Sequence, residues 1–167
     1  MSVTTRAFRG AVALATVGGA LLMTAPAPAQ QAQGTYTLTA QVDATSYPAR
    51  SYRWGDPQEV AFTRISDQSS QALMNMTGSD NHTVTITETY AYQGHTVVVL
   101  TLTMTGVRVT SVKSEASVGN LAGPEETIVL RPRTLKYMFQ PYSQQTAIAG
   151  GTPITVSYPP FPGDNKH

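Results

Sequence analysis

Between Thr96 and Thr105 the chain reads TVVVLTLTMT. Branching at Cβ stiffens these side chains, which suits them to a pleated surface and makes them poor in a helix. The same preference recurs along the chain. Tyr36, Leu38, Ala40 and Val42 alternate with Thr37, Thr39 and Gln41, the period of two that marks a strand with one buried face. Val84 and Ile86 alternate with threonines up to Tyr90, and Val107, Val109 and Val112 carry the pattern past Gly106, where a bulge is expected. Ser51–Trp54, Val60–Ile65, Thr127–Leu130, Leu135–Phe139 and Ile154–Tyr158 read as further short strands. Gly55-Asp56-Pro57, Tyr92-Gln93-Gly94-His95 and Arg131-Pro132-Arg133 punctuate them. Ser114–Pro124 and Pro141–Gly151 read as loops, and Pro159, Pro160 and Pro162 close the pattern because proline cannot extend a ladder. The pattern predicts an all-β barrel or sandwich of about eight or nine short strands.

One segment breaks the period. Asp67, Ser69 or Ser70 can supply an N-terminal capping oxygen, Ala72, Leu73 and Met76 share a helical face, and Gly78 is placed to stop the turn. This predicts one helix of about two or three turns, too short to stand alone and therefore packed on the β-core.

The N-terminus has another grammar. Arg6 and Arg9 precede the apolar run Ala11–Met23, and Ala27-Pro28-Ala29 fits the small-residue rule for signal peptidase. The run is shorter than the roughly 20 residues of a membrane span. Residues 1–29 are therefore expected to be a secretory signal cleaved after Ala29, residues 30–34 a polar spacer, 35–159 the β-domain and 160–167 a loose tail. About 140 of the 167 residues then remain, the size of one domain. Loss of two arginines shifts the balance of 11 basic and 10 acidic residues to about −1. No basic run survives to hold nucleic acid. The expected location is periplasmic or extracellular, with no membrane span after cleavage.

Candidate chemistry is sparse. With Cys 0, thiol catalysis, thiolate zinc and iron–sulfur clusters are excluded. His82, His95 and His167 do not fall at ligand spacing, so no metal site is expected. Glu125 and Glu126 are adjacent, and neighbours on a strand point to opposite faces, so they are not expected to share a proton. No serine sits in a G-x-S-x-G elbow and no glycine-rich phosphate loop is present, so no nucleophile pair can be named, no cofactor is expected and the chain reads as non-enzymatic. Tyr137, Phe139, Tyr142 and Tyr158 gather late in the chain as core or subunit interface.

Asp67-Gln68-Ser69-Ser70-Gln71-Ala72-Leu73 followed by Gly78 resembles the D-x-x-S-x-x-L…G segment of the Hcp family, the haemolysin-coregulated proteins that form the inner tube of the type VI secretion system. Ser51–Gly55, Val107–Ser114, Pro124-Glu125-Glu126 with Thr127–Leu130, Leu135–Pro141 and Gly150–Tyr158 resemble its strands in the same order, covering residues 51–158. The resemblance implies a β-barrel of the six-stranded type with one flanking helix. It marks Asp67, Ser70, Leu73, Gly78, Pro124, Glu126, Tyr137, Pro141 and Tyr158 as structural motif positions. It further implies self-assembly into a hexameric ring, without a cofactor, that carries effectors or joins other secretion components. The loop at Gly55–Gln58 is short where family members extend a long one, and Pro159 follows the closing Ser157-Tyr158 where the family usually has Asp. Two further features depart from the resemblance: the export signal, and Val42–Arg50 standing where the family has G-I-x-G-E-S. They favour a second reading, a ligand- or partner-binding barrel that keeps the fold and not the tube.

Overall fold

The computed structural model describes residues 34–56, 58–116, 123–158 and 160. The signal, most of the spacer, Pro57, much of the loop before Pro124 and nearly all of the tail lie outside the described residues.

The strands are β1 Thr35–Val42, β2 Thr45–Ala49, β3 Ser51–Asp56, β4 Glu59–Ile65, β5 His82–Tyr92, β6 His95–Glu115, β7 Glu125–Arg131, β8 Thr134–Phe139, β9 Tyr142–Ser143, β10 Ile148–Ala149 and β11 Ile154–Tyr158, with helix α1 Ser70–Asn75 between β4 and β5. All ladders between them are antiparallel. The main path runs β2-β1-β5-β6-β7-β4-β3. It closes on itself because β2 passes into β3 through Arg50, whose N–H donates to Thr63 O at 2.8 Å. The result is the expected all-β barrel, with β8 and β11 added outside the main path alongside β6.

Strand β6 makes this closure possible. It is 21 residues long and pairs β5 on one edge. Its other edge takes β8 over Leu100–Thr105 and β7 over Arg108–Glu115. Between Met104 and Val107 it uses one residue more than β5 does between Val84 and His82, which is the bulge expected at Gly106. Gly106 has φ 58, and a Cβ there would come within 2.8 Å of Arg133, so the position holds glycine for both conformation and space. A bulge raises local twist and bends its strand. Here the bend lets one strand serve two sheets.

The alternation found in the sequence becomes burial. Ala40, Val42, Val84, Ile86, Leu102, Met104, Val107, Val109, Ile128 and Leu130 are fully buried in one cluster with Phe62 and Leu73. A smaller cluster of Tyr90, Val97, Val99 and Ala147 sits under the β9–β10 hairpin.

The structure differs from the sequence reading in three places. Thr45–Ala49 forms β2 despite Pro48. The proline is tolerated because β2 has, among the described residues, only one ladder partner, leaving an edge on which no N–H is needed. The expected loop Pro141–Gly151 folds back as the β9–β10 hairpin, turned by Ala147 at φ 51. The helix is six residues, shorter than expected, and Ala72 is exposed. Its packed line is Ser70, Leu73 and Met76, spaced by three, because the chain leaves the helix at once to bridge Thr77 onto Val109.

Candidate functional site

The motif positions around the helix converge on a buried arginine. Arg64, on β4, has a side chain only 1% exposed. Its Nε donates to Ile65 O at 3.0 Å and its Nη1 to Ser69 Oγ at 2.8 Å. Its Nη2 pairs with Asp67. The guanidinium also lies 5.0 Å from the ring centre of Tyr47, within cation–π range. Glu126, on the neighbouring strand β7, is fully buried opposite Arg64 in the ladder. Its Oε1 accepts from Ser66 Oγ at 2.5 Å, and its Oε2 stands 3.8 Å from Arg64 Nε. The two adjacent glutamates do point apart: Glu126 faces this knot and Glu125 is half-buried on the other face.

Asp67 and the serines complete the corner. Asp67 Oδ1 accepts the Ser69 N–H at 2.7 Å, and the Asp67 N–H donates to Ser70 Oγ at 3.0 Å. Of the three expected capping residues, Asp67 thus receives a backbone N–H, whereas Ser69 at the cap position makes no side-chain cap bond. The Ser69 hydroxyl and N–H, and then Arg64, hold the Asp67 carboxyl below its ordinary value. Leu73 seats the helix in the core. Gly78 donates to Val109 O at 2.9 Å, and Pro124 O accepts the Ser66 N–H at 2.9 Å.

The remaining motif positions lie elsewhere. Tyr137 and Tyr158 flank Trp54, with ring centres at 5.6 and 5.5 Å, joining β3 to β8 and β11. Pro141 O accepts the Gly150 N–H at 2.8 Å at the base of the β9–β10 hairpin. The nine positions therefore form a helix corner, an aromatic seam and a hairpin base, with no single pocket among them.

A second constellation joins Ser79 and His82 to Asp43, which the sequence keeps far from them. His82, at the start of β5, is largely buried, with its side chain 16% exposed. Its Nδ1 lies 2.7 Å from Asp43 Oδ2 and its Nε2 lies 2.6 Å from Ser79 Oγ. Asp43 Oδ1 also accepts the Thr83 N–H at 2.9 Å. These bonds, the one to His82 first, hold the Asp43 carboxyl below its ordinary value. The sequence motifs named no nucleophile pair, and the structure brings Ser79 Oγ and His82 Nε2 to hydrogen-bond distance. Asp43 lies 39 positions from His82, so only the β1–β5 pairing reveals the contact. Among the described residues no group of three His, Asp or Glu side chains could hold a metal ion, and no helix is long and apolar enough to cross a membrane.

Both carboxylates have a pH consequence. Their folded values lie below the ordinary 3.8, so each adds stability above that value and loses it as pH falls through the lowered one. Thermal melts should therefore drop in strong acid. Asp43→Asn should flatten part of that drop, and an unchanged acid limb would contradict the assignment.

The antiparallel barrel with one short flanking helix is a fold shared with Hcp proteins. Hcp1 from Salmonella typhimurium is similar over 74% of this chain and 94% of its own, with TM-score 0.62 and 19% identity. Hcp2 from the same organism has TM-score 0.56 and 17% identity over 74% of this chain and 95% of its own. A type VI secretion system effector from Yersinia pestis has TM-score 0.56 and 15% identity over 73% of this chain and 98% of its own. At these identities the likeness establishes the fold, as the sequence resemblance implied. No family model matches the sequence, and no curated protein does.

Proposed function

We propose that this chain is an exported Hcp-like protein that assembles with copies of itself into a ring, as a tube-like component or effector carrier, a role that asks no catalysis of the barrel. One observation carries the reading. Among the described residues strand β11 pairs only β8, and along its other edge Ile154 and Val156 are 55% and 40% exposed. A folded domain seldom leaves an apolar strand edge in water, because such an edge is a template for another chain. A second copy would cover it. The Trp54–Tyr137–Tyr158 seam lies on the same face of this edge, since Ile154, Val156 and Tyr158 alternate along β11 and Val156 stands opposite Tyr137. On this reading the nine motif positions serve the fold and the edge rather than chemistry.

The export signal and Ala29 cleavage belong to the same proposal. They place assembly beyond the cytoplasmic membrane, unlike a tube subunit built in the cytoplasm. Thr45–Ala49 supports the second reading, a partner-binding barrel: a proline-containing edge strand stands where the family has G-I-x-G-E-S.

The test is a charged edge. Ile154→Lys with Val156→Lys should convert assemblies to monomers in size exclusion, with little change in melting since both side chains are exposed. Assemblies that survive both lysines would rule out this edge as the interface. Cell fractionation tests export, and a precursor retained in the cytoplasm would contradict it.

A further inference from the structure

We propose that Ser79 is a nucleophile primed by His82, and that it takes acyl groups from small activated esters at the open corner between α1 and β5. This goes beyond the assembly role and does not depend on it.

Three observations meet there. The first is the chain of bonds. Asp43 Oδ2 is 2.7 Å from His82 Nδ1, and Ser79 Oγ is 2.6 Å from His82 Nε2. An ionised carboxylate can only accept, so the neutral imidazole must carry its hydrogen on Nδ1, leaving Nε2 bare to take a proton. That is the nucleophile, base and orienting acid of serine acyl transfer, identified by geometry and not by chain order. The Ser79 hydroxyl also stands 2.6 Å from Met76 O. That carbonyl already accepts the Ser79 N–H at 3.0 Å, so turning the hydroxyl hydrogen toward His82 leaves it paired.

The second is access. Ser79 is exposed, and a Cβ built on its neighbour Gly78 would meet nothing within 4 Å. A small ester can reach Oγ, whereas His82 is sheltered. The third is backbone. Asp43 at φ 51 and Asn81 at φ 73 both hold left-handed conformations without being glycine. Asp and Asn enter this region more readily than other side chains, so both turns form at small cost and hold Asp43 and His82 in place.

In the step, Ser79 Oγ attacks the ester carbonyl carbon and its proton passes to His82 Nε2. The bond from that carbon to the leaving oxygen breaks, and the leaving group departs as the alcohol or phenol with the proton from Nε2. Asp43 remains ionised and acts as a positioning residue. The product is an O-acyl serine. Gly78 N–H is committed to Val109 O and Ser79 N–H to Met76 O, so neither receives the oxyanion. Arg108, 3.5 Å from Asp80, puts a cation at the same corner. Without a backbone oxyanion hole, the larger catalytic contribution is missing. The expected behaviour is therefore slow, single acylation and little turnover.

The experiment treats the full chain with p-nitrophenyl acetate and locates the acetyl group by mass spectrometry. The expected result is one acetyl per chain, on Ser79, absent in Ser79→Ala. His82→Gln should slow it on the order of 100-fold, the usual size of a general-base contribution. Ring-nitrogen NMR of the unmodified chain should show the neutral His82 carrying its hydrogen on Nδ1. Asp43→Asn should move it to Nε2 and slow acylation comparably to His82→Gln. No adduct on Ser79, equal rates with and without His82, or the opposite tautomer in the unmodified chain would each overturn the proposal.

Discussion

Arg64→Ala should destabilise the fold by about 3–5 kcal/mol, the usual cost of breaking a buried ion pair from one side. Among the described residues, the substitution leaves the fully buried Glu126 with the Ser66 hydroxyl on Oε1, while Oε2, which has no hydrogen-bond partner, loses the guanidinium 3.8 Å away. It also removes the donors to Ile65 O and Ser69 Oγ and the cation over Tyr47. For a domain of this size each kcal/mol moves the melting midpoint by roughly 2–8 °C, so the loss should exceed 6 °C. Replacing both charges, as Arg64→Met with Glu126→Leu, should recover most of it, because an apolar pair of similar volume avoids the desolvation cost. Denaturant melts of the single and double variants decide the matter. A double variant as unstable as the single would mean that the knot acts through its hydrogen bonds to the helix and not through charge.

Leu73→Ala should cost about 2–5 kcal/mol, whereas Met74→Ala should stay within about 0.5 kcal/mol. Leu73 and Ser70 are the buried residues of a helix six residues long, and Met74 is 41% exposed. So short a helix has no stability of its own. Losing the leucine therefore removes the anchor as well as the packing, and the corner formed by Asp67, Ser69 and Arg64 should loosen with it. Hydrogen exchange should show the amides of Ser70, Ala72 and Met76 losing protection together in Leu73→Ala. Loss of stability without loss of helix protection would show that the rest of the corner holds α1 unaided.

The barrel was readable because its signal is local. Alternating residues such as Ala40/Val42 and Val84/Ile86 declare a buried face before any partner is known, and all four are fully buried. The Gly106 bulge was readable for the same reason, since a glycine within a β-branched run is itself the signal. What escaped were features whose cause lies elsewhere in the chain. Pro48 argues against a strand until β2 is seen at an edge. Ala147 carries a positive φ with no glycine or asparagine to announce it. Arg64 reads as a surface charge until Glu126 appears beside it across the β4–β7 ladder. Ser79 and His82 are three positions apart and could have been paired on paper. Asp43, which orients the histidine, becomes its neighbour only when β1 lies against β5. The motif residues named by resemblance are all present, but no inspection of their order could divide them into helix corner, aromatic seam and hairpin base.

Self-assembly is tested most directly by the molar mass of residues 30–167, measured by light scattering across a range of concentrations. A mass several times that of the single chain, held constant on dilution, is the predicted result, and six subunits would match the ring implied by resemblance. A single-chain mass at every concentration would contradict it, leaving a monomeric barrel whose apolar β11 edge must serve a different partner.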